Sequence, residues 1–213
     1  MSPENSTGPG PEPEPSSAAY FKSIPWCAAH LTPSTESITY YHPPWTRDLD
    51  PGSGTASPAS EGQQPRITVS DQFFSSTLNT AETVPRSLWF YPTPGSPSAL
   101  VPTLRALVRL EAGVGGYPRF AHGGAVATLL DEITGLLCTL NRQRGALDRR
   151  PAMTGFLNTR FLRPVPAPGI VLAGAEVVRT AERKTWVRGW IEGEGGEVLC
   201  EAEALFVNLK GRL

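Results

Sequence analysis

His122, Gly123 and Gly124 stand directly before a long apolar run that holds two adjacent acids, Asp131 and Glu132, and no basic residue until Arg142. A helix that starts at the glycines presents unpartnered backbone N–H groups at its N-terminus, where they and the helix dipole favour an anion or a developing oxyanion. An acid further along the same helix supplies a base or a nucleophile. Together these are the two elements that hydrolysis of an activated acyl group requires.

The helix itself is unusual. At 100° per residue, Val126, Leu129, Leu130, Ile133, Leu137 and Leu140 form one broad apolar face, whereas Gly124, Ala127, Thr128, Asp131, Gly135 and Cys138 form the other. Without a solvated side, such a helix is expected to be buried on most sides. An acid on its small-residue face costs stability unless it is paired, hydrogen-bonded or used. A pairing with Arg160 or Arg163 would explain Asp131 without chemistry, but the His-Gly-Gly turn beside it favours function. Glu132 points about 100° away and is expected to support rather than react. Gly124 and Asp131 are separated by roughly 10 Å along the axis at ~1.5 Å per residue. One carbonyl cannot easily touch both, so the expectation is an obligate dimer whose antiparallel helices build two shared sites.

The flanking text supplies strands. "TLRALVRLEAG" alternates Leu104, Ala106, Val108 and Leu110 against Arg105, Arg109 and Glu111, the period of a strand with one buried face, and Gly113, Gly115, Gly116 and Pro118 stop it. A weaker strand signal lies at Leu88 to Tyr91. After the helix come "MTGFLNTRFLRPV", "IVLAGAEVV", "KTWVRGWIEG" and "EVLCEAEALFVNL", whose short separators predict an antiparallel meander. Strand, long helix, then several strands is an α+β pattern in which one sheet covers one helix.

Composition restricts the partners. The chain has 213 residues, 19 basic and 20 acidic, with no long basic run, so nucleic acid is not an expected partner. The acids interrupt the apolar run, and no membrane span is expected. Cys27, Cys138 and Cys200 are odd in number and far apart, which fits reduced thiols; with a leader-free reading of the N-terminus this predicts a cytoplasmic protein. His30, His42 and His122 are too dispersed for a metal site, no G-x-S-x-G elbow is present, and no cofactor is expected. The Pro, Glu, Ser and Gly of residues 1–19 predict a disordered tail, 20–66 an arm and loop, and 67–213 the main domain.

"HGGAVATLLDE" followed by "TGFLNTRFLRPVPAPG" resembles the hotdog-fold acyl-CoA thioesterases of the PaaI-like and THEM type, within the 4-hydroxybenzoyl-CoA thioesterase superfamily. The likeness runs from about Thr103 to Val207. It implies a hotdog fold, an antiparallel sheet wrapped around a long central helix, in a homodimer or dimer of dimers acting on acyl-CoA or acyl-carrier-protein thioesters. Asp131 would deprotonate water or attack the thioester, Gly124 or Gly123 would donate to the thioester oxygen, His122 would polarise it, and Thr154 would hold the water or support Asp131. Asn158, Arg160 and Arg163, in "NTRFLRPV", would lie along the acyl and pantetheine channel, with an arginine toward the CoA phosphates. A non-catalytic acyl-binding dimer is the alternative of another class.

Overall fold

The computed structural model describes residues 16–32, 37–44 and 72–210. Its centre is helix α3 (Gly123–Gln143), held in a seven-stranded antiparallel sheet. In chain order the elements are α1 (Ser16–Lys22), α2 (Pro25–Leu31), β1 (Ile38–Tyr41), a π-helical turn (Phe73–Leu78), β2 (Arg86–Pro92) and β3 (Thr103–Leu110). A small hairpin of β4 (Gly115–Tyr117) and β5 (Phe120–Ala121) leads into α3, and β6 (Ala152–Phe161), β7 (Gly169–Ala181), β8 (Lys184–Glu192) and β9 (Val198–Asn208) follow. This is the hotdog arrangement, and it is α+β.

The strand order β1-β2-β3-β7-β8-β9-β6 departs from a simple meander. Three strands, β7 to β9, do run as hairpins. The first strand after the helix, β6, instead pairs with β9 at the far edge, while β3 pairs with β7. The "PAPG" separator is therefore a crossover, because the sheet must pass around α3 before β7 can join β3.

The apolar stripe of α3 builds the core: Leu130, Ile133 and Leu137 are fully buried among inward residues of β3, β7, β8 and β9, including Ala106, Ala173, Val187 and Ala204. Small residues on the sheet let the helix approach. A Cβ at Gly189 would lie 2.9 Å from Thr134 Cγ2, so only glycine fits beneath that turn without a shift. At the far end, Asn141 is fully buried and fully used: its amide donates to the carbonyls of Val101 and Leu137 and its Oδ1 accepts from Val101 N–H at 2.8 Å. By length and mean hydropathy (1.3) α3 would suffice to cross a membrane, as the core helix of a sheet also can. Here it is the core helix of the sheet.

The N-terminal arm modifies two further expectations. Ser16 already belongs to α1, so the ordered arm starts before the boundary placed at residue 19, while the 47–66 loop lies outside the described residues. Phe21, Cys27 and Leu31 of the arm pack on Leu88, Phe90, Leu107 and Leu172 of the sheet's outer face. Strand β3 is thus buried on both faces where one was expected, and β1 extends the sheet as an edge strand. Burial also raises all three thiols: Cys27 and Cys200 are pushed up to about 11 and Cys138 to about 12.

Candidate active site

The start of α3 is fixed by the glycine-rich turn that precedes it. His122 is the N-cap, with extended backbone angles, and its N–H donates to the carbonyl of Val114 at 2.8 Å. Gly116 lies against it so closely that a Cβ there would meet His122 Cα at 2.7 Å. The imidazole Nδ1 then accepts the N–H of Gly124 at 2.9 Å. This places the proton of the neutral ring on Nε2, which remains as a donor.

That cap corrects one assignment. The N–H of Gly124 is already used, whereas among the described residues nothing accepts from the N–H of Gly123 or Ala125. Of the two glycines considered for an oxyanion, Gly123 has the available donor. The ring of Phe161, at the end of β6, lies 3.5 Å from where a Gly123 Cβ would be.

Two turns along the helix, Asp131 is half-buried and accepts a hydrogen bond at Oδ1 from the Thr154 hydroxyl, 3.0 Å away on β6. Both residues line an open groove with Ala127, Thr128, Glu132, Leu157, Phe73 and Phe74, enclosing about 880 Å³ of space that includes open solvent. Glu132 sits beside Asp131 and adds charge toward Tyr41, whose phenol is pushed upward, first by burial and then by this acid. The small-residue face of α3 is therefore partly open in the single chain. Gly124 is exposed and Ala127, Thr128, Asp131 and Gly135 are half-buried, in place of the burial expected on most sides.

Other assigned residues lie elsewhere. Asn158 and Arg160 pair in register with Glu203 and Glu201 on the outer face of the sheet, and Arg160 Nη1 donates to Glu201 Oε1 at 2.7 Å. The register shift between Thr154 and Phe156 turns Thr154 and Leu157 toward the helix and Asn158 and Arg160 away from it. Arg163, exposed, reaches the carbonyl of Val198 at 3.4 Å. Neither arginine pairs with Asp131. The guanidinium of Arg179 on β7 covers the Trp186 ring of β8 at 3.7 Å, and that of Arg188 lies near Trp190. No cluster of metal-ligating side chains occurs among the described residues.

A carboxylate held at one oxygen by a hydroxyl, open to a groove, can take a proton from water or attack an acyl carbon. The free N–H at Gly123 and the Nε2–H of His122 can polarise a carbonyl. Gly123 and Asp131 are eight residues apart on one helix, roughly 12 Å at ~1.5 Å rise, so a single chain does not bring both to one carbonyl.

Residues 119–200 match the family model described as the thioesterase superfamily. The chain is 34% identical over 95 residues to acyl-coenzyme A thioesterase THEM4 of Mus musculus, covering 44% of this chain and 38% of that protein. It is 31% identical over 134 residues to verlamelin biosynthesis protein B of a Lecanicillium species, covering 50% and 58%. The matches thus span well under two thirds of these relatives' lengths. Among solved structures, a phenylacetic acid degradation-related protein of Ralstonia eutropha superposes with a TM-score of 0.44 at 24% identity, covering 49% of this chain and 75% of that one.

Proposed function

We propose, from the premise that residues 119–200 belong to the thioesterase superfamily, that this protein hydrolyses acyl-coenzyme A thioesters to free acid and coenzyme A. The observation that carries this reading is the Thr154 hydroxyl donating to Asp131 at the open groove of α3. With Oδ1 so held, Oδ2 is oriented to take a proton from water as the water oxygen attacks the thioester carbon. The negative charge that develops on the carbonyl oxygen falls to Gly123 N–H and His122 Nε2–H, donors that need no reorganisation as it forms. Collapse of the tetrahedral intermediate breaks the C–S bond, and the thiolate leaves with the proton returned from Asp131.

The site is shared between two copies. What supports this is the ~12 Å separation of Gly123 and Asp131 along the helix, together with the edge position of β6. Among the described residues one row of its backbone groups has no strand partner, and its end exposes Phe161 beside Gly123 at the open helix face. An acyl group carried on a protein is the second reading of the substrate, which the same Asp131 chemistry would serve.

Steady-state hydrolysis over an acyl-CoA length series tests the reading, with wild type against Asp131→Asn, which keeps the shape and removes the base. Wild-type turnover with a loss of ~10² or more in the folded variant is the expected result. A wild type inactive on every CoA ester overturns the acyl-CoA reading and turns the test to carrier-protein thioesters.

A further inference from the structure

Beside the Asp131 groove lies a second space, between the N-terminal half of α3 and the sheet. It is nearly closed, with a free interior of about 20 Å³, and every described residue lining it is apolar, among them Leu78, Leu110, Val114, Val126, Leu129 and Ile191. Such a lining offers no partner for a polar or charged group, and burying one there unpaired would be costly. The two spaces meet along one ridge of the helix. Ala125 faces the apolar cleft, while Thr128 and Glu132, three and seven residues on and therefore on the same side of α3, face the groove. Phe74, 6% exposed, is the residue that lines both among the described residues.

We propose that Phe74 is the residue that sets acyl-chain length in this protein, its ring standing between the Asp131 groove and the closed apolar cleft and stopping the chain at that junction. The proposal rests on the hydrolytic reading of Asp131. A thioester seated at Asp131 directs its alkyl end along the Ala125–Thr128 ridge, and the ring at that junction decides how far the chain proceeds. The residue comes from the π-helical turn Phe73–Leu78, outside the family-matched residues 119–200. Chain-length preference is therefore set from outside the residues that match the family model. Phe73, 49% exposed and edge-on to Phe74 with ring centroids 6.0 Å apart, lines only the groove.

The test uses the full chain and straight-chain carboxylates of graded length, titrated calorimetrically into wild type, Phe74→Leu and Phe74→Ala. Acyl-CoA kcat/KM over the same lengths is the second readout. An apolar pocket discriminates a single methylene by ~10-fold or more, so opening the partition is expected to shift affinity toward the longest chains by at least about tenfold relative to the shortest. The leucine variant, which keeps most of the packing, should fall between the other two, and kcat/KM should move in the same sense. An unchanged length profile in the folded leucine variant, or no carboxylate binding by any of the proteins, overturns the proposal. A Phe74-dependent length preference in binding, without hydrolysis of any thioester, leaves the partition standing and overturns the hydrolytic reading instead.

Discussion

The two faces of α3 differ in what they ask of their neighbours. Leu130, Ile133 and Leu137 are fully buried against strands whose small residues were shaped to receive them, while Ala127, Thr128 and Asp131, one quarter to one half turn around, border an open groove. The first face fixes where the helix lies; the second uses that fixed position to aim one carboxylate. Small residues thus serve opposite ends on the two sides. On the sheet, Gly189 lets a sealed seam close, and on the helix Gly124 and Ala127 leave a face partly open.

The contrast can be broken from the sealed side first. Leu130→Ala should cost about 2–5 kcal/mol of stability, since its cavity cannot collapse between helix and sheet, while kcat of the folded fraction changes little; urea denaturation and active-site titration separate the two. Next, Gly189→Ala drives a methyl toward Thr134 Cγ2 and should cost about 1–3 kcal/mol, read as a lower urea midpoint at unchanged m. On the open side, Thr154→Val should lower kcat by about tenfold, near 1.4 kcal/mol, with no change in thermal midpoint. His122→Ala removes the cap on Gly124 and should cost about 1 kcal/mol of stability, with a fall in kcat/KM from the lost Nε2–H.

The last effect is seen only in alkaline solution, a pH dependence from the sealed seam. Burial raises the Cys138 thiol from 9.0 to about 12, so the folded state holds its proton where the unfolded chain releases it. Stability is then fully present below pH 9 and is lost as pH rises from 9 toward 12, because the unfolded chain binds fewer protons there. A urea midpoint that falls less steeply over this range in Cys138→Ala than in wild type is the expected result.

Much of this was legible in local pattern. The helix and its start at the His-Gly-Gly turn, the alternation of β3 and the short separators within β7 to β9 follow from period and turn chemistry, and an acid on a small-residue face marks Asp131 without any geometry. What was not legible depends on contacts distant in sequence or on single backbone irregularities. No local signal sends β6 to the far edge, because that placement comes from wrapping the sheet around α3. Strict alternation would set Thr154, Asn158 and Arg160 on one face; the shift near Gly155 separates them, and a glycine inside a strand was the available sign. The cap that consumes the Gly124 N–H needed the imidazole's rotamer. Phe74 gave no periodic signal at all, standing in "QFFSSTL" between loops.

The central claim is that the open face of α3 carries a thioester site completed by a second copy, and subunit mixing tests it most directly. Gly123→Pro deletes the N–H assigned to the thioester oxygen, at a helix position where proline is well tolerated, and Asp131→Asn removes the base. Each variant alone should be nearly inactive. In a mixed dimer, Asp131 of one copy meets Gly123 of the other at one intact site, so equal mixing with full subunit exchange should restore about a quarter of wild-type activity, half the dimers being mixed with one working site each. Mixed dimers isolated with two affinity tags that stay as inactive as either parent would contradict the account, because a site built within one chain has no intact copy in that mixture.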